Sequence, residues 1–236
     1  MRSYSDYYET KLYPLQDGVL RCVEGCKTDF FLTGGTALSR GYYSHRYSDD
    51  LDFFVCSDDR FNAQVELVMA GMDAAAIRWD ESADFLRAGD FCTMAVSCDR
   101  YPGIRLKLDF VNDVAPRYGE IVPTPVFART DSVRNILGNK LTALFRFEAK
   151  DVADLYTICH NYPFSWARIT EEARSKEAGA EAPLAAEILL GIPESDFLAV
   201  RWSTAPSWDA FRADLAVIAS DLARGSENSL CKGTVG

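Results

Sequence analysis

Residues 31–54 read FLTGGTALSRGYYSHRYSDDLDFF, and the fold turns on how this stretch is parsed. Phe30–Thr33 is short and apolar and runs into Gly34-Gly35, and Thr36–Tyr43 has helical character. This predicts a strand, a glycine turn and a helix. Leu51–Val55 is then a second strand, with Asp50 and Asp52 two residues apart at its start. Residues so spaced project to one face of a strand, while Leu51 and Phe53 point into packing. Two carboxylates side by side are costly unless a cation neutralises them. The natural resident is a hard divalent ion such as Mg2+, with Mn2+ as the alternative, which takes one or two carboxylates and fills its shell with water and phosphate oxygens.

A third acid fits the same chemistry. Phe91–Cys98 and Ile104–Val111 are strand-like, are joined by the turn residues DRYPG, and are expected to pair as a hairpin. In the second of them Leu106, Leu108 and Phe110 alternate with Lys107, Asp109 and Val111. Asp109 stands where packing alone favours Val or Thr, and a neighbouring strand would bring it beside Asp50 and Asp52. Three carboxylates suit two metal ions clamping the attacking and leaving oxygens of a phosphoryl displacement. Gly34 and Gly35 let the backbone approach phosphate oxygens at a helix N-terminus, where Thr36 and Ser39 add hydroxyls. Together these features describe a nucleoside triphosphate site.

The rest of the chain sets limits. It has 236 residues, 48% of them hydrophobic, a net charge of −10 and a pI near 4.7. A broad phosphate-tracking surface is not indicated. No apolar leader and no run long enough to span a membrane is seen, so a cytoplasmic protein is expected. Seven cysteines, an odd number, argue against a disulfide framework, and only two histidines argue against structural zinc. The first twenty-odd residues and Phe61–Ala76 have helical period. The prolines of IVPTPVFAR (121–129) mark a boundary between a domain at 1–125 and a helical one at 126–236. In the latter, Asp131 or Ser132 caps a helix, further helices cover Trp166–Ala178, Leu184–Leu190 and Ala210–Leu222, and Ser226–Gly236 is a frayed tail. The fold class is therefore α+β, a mixed sheet with flanking helices followed by a mostly helical domain.

GGTAL (34–38), HRYSDDLDFF (45–54) and LKLDF (106–110) resemble the AbiEii-type toxin nucleotidyltransferases, a branch of the DNA polymerase beta-like nucleotidyltransferase superfamily. KLTALFRFEAKDVADLYTI (140–158) resembles the family's further motif, and the resemblance covers about residues 30 to 160. It implies that Gly34 and Gly35 cradle the triphosphate, that Asp50, Asp52 and Asp109 hold the metals, and that Asp109 also activates the attacking hydroxyl. Arg46 and Ser48 would contact nucleotide or phosphate, Lys140 would reach the triphosphate, and Asp154, with Asp151, would orient Lys140 or serve the acceptor. The site would lie in a cleft between two lobes. The implied reaction moves a nucleoside monophosphate from a triphosphate to a hydroxyl of RNA, particularly tRNA, or of protein, as the toxin of a toxin–antitoxin or phage-defence system with a separate antitoxin chain.

Plainer readings stand beside these. Arg46 would simply pair with Asp49, His45 would cap or face solvent, and Arg146 with Lys150 would be a solvated helix face. Lys140 and Asp151 are eleven apart, too far to touch along one helix without a break or a bridging metal or substrate. Five basic residues and two acids lie between Arg129 and Lys150, which suggests a phosphate-facing wall. Rival functions are a DxD metal-dependent glycosyltransferase, a kinase, and a nucleotide-binding domain without turnover.

Overall fold

The pattern of glycines and alternating acids folds as a strand, a turn, a helix and a strand in the computed structural model, which describes residues 4–79, 85–113 and 116–231. The chain divides into two units: the described residues of Met1–Val114 with Ile121–Asp131, and those of Ala115–Glu120 with Ser132–Gly236.

The first unit opens with helix α1 (residues 4–25), which makes a π-turn at Tyr8–Leu12. Strand β1 (Phe31–Thr33) leads into α2 (residues 34–43), and β2 (Leu51–Cys56) leads into α3 (Phe61–Ala74). β3 (Arg78–Trp79), β4 (Leu86–Ala88), β5 (Phe91–Ser97) and β6 (Leu106–Asp113) complete the sheet. Its order is β1-β2-β6-β5-β3, with β4 also on β5. β5 and β6 form the expected antiparallel hairpin, and β2 pairs with β6 in parallel. The expected mixed sheet is present; the short β3 and β4 were not anticipated, because neither has an alternating pattern of useful length.

Alternation decides which side chains face the site. Leu51, Phe53, Leu106, Leu108 and Phe110 are all 0% exposed, and the rings of Phe53 and Phe110 stack at 5.4 Å. Burial of this row drives the strands together. The pleat then sends Asp52 and Asp109 to the other face.

The proline-containing segment belongs to this unit. Leu32 N–H donates to the Arg129 carbonyl at 2.8 Å and its own carbonyl accepts from Asp131 N–H at 2.9 Å, so the segment runs along the edge of β1. After the earlier excursion of Ala115–Glu120, the chain passes into the second unit for the last time at Ser132. Edge pairing with β1 is a long-range contact that prolines do not advertise.

In the second unit, α4 (Val133–Ala143) is capped by Ser132, whose Oγ accepts from Asn135 N–H at 3.1 Å. Asp131 is not the cap; its Oδ2 accepts from Thr33 Oγ1 at 2.7 Å. A 3-10 turn (Leu144–Arg146) and Phe147 at φ 57° break the helix before α5 (Ala149–Asn161). Then come α6 (Trp166–Lys176), α7 (Ala182–Gly191), α8 (Glu194–Ala199) and α9 (Trp208–Arg224). Trp166, Ile136, Leu137, Leu155, Phe211 and Leu215 fill the core of this unit, each 1% exposed or less.

The expected frayed tail is corrected for residues 226–231. Asn228 is 6% exposed and its Nδ2 donates to the carbonyls of Cys159 at 2.7 Å and Tyr162 at 3.0 Å. One amide satisfying two buried carbonyls ties the segment down. The last five residues lie outside the described ones. Among the described residues no helix is long and apolar enough to cross a membrane.

Candidate active site

The two glycines are explained by what stands over them. Gly34 has φ +67°, a conformation costly for any residue with a Cβ, and a Cβ there would collide with Oδ2 of Asp52. At Gly35 a Cβ would lie 2.5 Å from Arg46 Nη2 and 3.0 Å from Ser48 Oγ. The turn therefore gathers Asp52, Arg46 and Ser48 against its backbone.

Asp109 joins them through register. Asp52 and Asp109 are direct partners across the parallel β2–β6 ladder. Asp109 Oδ2 accepts from Lys107 Nζ at 2.6 Å, and its Oδ1 is buried with no hydrogen-bond partner among the described residues. Burial works to lower the proton affinity of Lys107, but its hydrogen bond to Asp109 and the charges of Asp109, Asp50 and Asp52 outweigh that and raise its pKa above the ordinary lysine value. All three acids thus act on one ammonium.

Thr36 takes a different part from the one expected. It is 0% exposed, and its Oγ1 donates to the Asp50 carbonyl at 2.5 Å, fastening the start of α2 to the acid loop rather than offering a hydroxyl to a nucleotide. Ser39 Oγ is buried and has no hydrogen-bond partner among the described residues. His45 is 9% exposed, which removes the solvated reading of it. Arg46 is 6% exposed and donates from Nη1 to the Tyr47 carbonyl at 3.0 Å.

Helix α1 braces the loop from outside any motif. Gln16, 0% exposed, donates from Nε2 to the carbonyls of Ser48 at 3.0 Å and Asp49 at 3.2 Å. Tyr8 donates its hydroxyl proton to Asp49 Oδ1 at 2.5 Å, and Tyr8 and Tyr47 stack at 4.4 Å. Sequence reasoning missed these residues, since nothing local in α1 distinguishes them from core. Lys107 had a signal, a cation two residues from an acid on one strand face.

In the second unit, Lys140 is 8% exposed and its Nζ lies 2.5 Å from Asp151 Oδ1 and 2.6 Å from Asp154 Oδ2. The break at Phe147 is what permits this contact across eleven residues, with no bridging group required. It also changes the reading of the basic segment. Arg129 donates to the carbonyls of Asp29 and Phe30, Arg134 pairs with Glu172, and Lys140 with its two acids. A phosphate-facing wall of five cations is therefore not formed; Arg146 and Lys150 remain exposed.

The donor set fits a hard cation in kind: acidic oxygens in ladder register, one of them buried and unpartnered. Among the described residues, however, no three His, Cys, Asp or Glu side chains converge as a ready metal cluster, and Lys107 holds one oxygen of Asp109.

A mixed sheet carrying paired acids beside a glycine turn is the arrangement expected of a nucleotidyltransferase. A profile of the family described as nucleotidyl transferase AbiEii toxin, type IV TA system, matches residues 19–224, and the chain belongs to that family. The match extends through the C-terminal helices, beyond the span that the motifs alone carry. No curated protein matches the chain. Among solved structures, JHP933 from Helicobacter pylori is similar at 19% identity and a TM-score of 0.61, with 90% of each chain covered. MenT4, a nucleotidyltransferase toxin from Mycobacterium tuberculosis H37Rv, is similar at 19% identity and a TM-score of 0.64, with 90% of this chain and 82% of that one covered. At these identities the likeness speaks for the fold.

Proposed function

We propose that this nucleotidyltransferase moves a nucleoside monophosphate from a triphosphate, in the presence of Mg2+ or Mn2+, to a hydroxyl of RNA and releases pyrophosphate, with tRNA the leading acceptor and protein the alternative. The observation that carries the reading is the pairing of Asp52 with Asp109 beneath the Gly34 turn. Asp50, Asp52 and Asp109 would hold two divalent ions, which when bound would neutralise charge on the attacking and leaving oxygens.

The chain's own residues do the positioning. The backbone of Gly34 and Gly35, with Arg46 and Ser48 packed on it, receives the triphosphate oxygens. Thr36 holds the Asp50 carbonyl and so the aim of the acid pair. Asp109 takes the proton of the acceptor hydroxyl. Within the second unit Asp151 and Asp154 fix the position of Lys140. The exposed Arg146 and Lys150 suit an RNA backbone, which favours RNA over protein. The family match supports a toxin role and a separate antitoxin chain as its partner.

The test is a transfer assay with purified chain, Mg2+, total RNA and lysate protein, using triphosphates labelled at the α- or γ-phosphate. Label from the α-position entering RNA, and lost in Asp50→Ala and Asp52→Ala, is expected. Transfer only from the γ-position would make the chain a kinase, and α-label in protein would change the acceptor class. No transfer together with no nucleotide binding would refute the reading.

A further inference from the structure

Lys107 is a charged side chain on the acid face that the proposed reaction leaves without a part. We propose that it is a resident counter-cation, which withholds the carboxylates from bare divalent metal and yields them when metal arrives with a triphosphate. The proposal rests on the reading of Asp50, Asp52 and Asp109 as metal ligands.

Three observations carry it. Lys107 and Asp109 are two apart on β6, so the strand itself sets the ammonium on the acid face, where Nζ reaches Asp109 Oδ2 at 2.6 Å. Its charge is felt by all three acids, so an entering cation meets a positive group already in place. The two partners also differ in freedom. The Asp109 side chain is 16% exposed and fixed by the ladder on both sides, whereas that of Lys107 is 52% exposed on a flexible stem. The ion pair can therefore open by motion of the lysine alone, and a pair this exposed is cheap to open.

The consequence is a coupling. A bare hydrated cation must shed water and evict the ammonium from Asp109 with nothing offered in return. A metal–triphosphate brings phosphate oxygens to which the evicted ammonium can turn. Metal and nucleotide then strengthen each other's binding by the same factor, and Lys107 sets much of that factor.

The test is Mn2+ binding to the full chain, followed by electron paramagnetic resonance, with and without a non-hydrolysable triphosphate analogue. Wild type is expected to bind Mn2+ weakly alone and more tightly with the analogue. Lys107→Met should bind Mn2+ alone at least about fivefold more tightly, the order expected for removing a unit charge a few ångströms away, and should gain less from the analogue. Lys107→Arg, which keeps the charge, should resemble wild type, and Lys107→Gln serves as a second neutral variant. Asp52→Asn should abolish binding throughout. Equal or weaker Mn2+ binding by both neutral variants, with Asp52→Asn still abolishing it, would overturn the role of Lys107 and leave the metal site standing. Mn2+ binding that ignores Asp52→Asn, or no binding in any chain, would overturn both.

Discussion

Replacing Lys140 by Met should destabilise the second unit strongly. The ammonium sits between Asp151 and Asp154, whose side chains are 5% and 0% exposed. Methionine keeps most of the volume and removes the charge, leaving two desolvated carboxylates facing each other. Breaking a buried pair by taking away one partner costs about 3–5 kcal/mol. With a slope of about 2–3 kcal/mol per molar urea, the midpoint should fall by roughly 1.5 M. The pH dependence supplies the sharper check. In the variant, burial and mutual repulsion disfavour the charged form of both acids in the folded state between about pH 4 and 7. The folded state then binds more protons than the unfolded one, so stability falls as pH rises through that window. The deficit against wild type should accordingly be largest near neutral pH and shrink toward pH 4–5. Adding Asp154→Asn should recover part of the loss. Urea melts of all three proteins across this pH range decide the matter. A Lys140→Met variant within about 1 kcal/mol of wild type at pH 7, with a deficit independent of pH, would show that the three groups are not desolvated together.

Two further outcomes are expected. Gly34→Ala forces a side chain into φ +67° and against Asp52 Oδ2; it should cost about 1–2 kcal/mol from the backbone alone and sharply reduce α-phosphate transfer, whereas Gly35→Ala, which has no such backbone strain and meets side-chain ends of Arg46 and Ser48, should lower the urea midpoint less than Gly34→Ala. Asn228→Ala leaves the carbonyls of Cys159 and Tyr162 without their donor and should lower stability by about 2 kcal/mol in a urea melt, with transfer unchanged at 25 °C; a melt identical to wild type would mean that the tail is not held by this amide.

The strand, glycine turn, helix and strand of residues 31–54 were legible because each depends on neighbours in the chain. Period-two alternation, a pair of glycines and acids at odd positions are local signals. The same holds for the Ser132 end of α4, though sequence left Ser132 and Asp131 level as caps. The tie was broken when Asp131 was claimed by Thr33, ninety-eight residues away. The family resemblance rests on those local motifs as well.

What only the tertiary structure decided has a common cause: it depends on residues far apart in the chain sharing space. Ladder register, not spacing, put Asp109 opposite Asp52. Edge pairing with β1 drew residues 129–131 into the first unit. Three of the five cations that looked like a phosphate-facing wall have internal partners, and of these three Lys140 is the buried one, where a charge must be paired whatever its sequence context suggests. The same requirement closed Lys140 onto Asp151 and Asp154 through a break at Phe147, an aromatic residue with no intrinsic tendency to end a helix in the left-handed region.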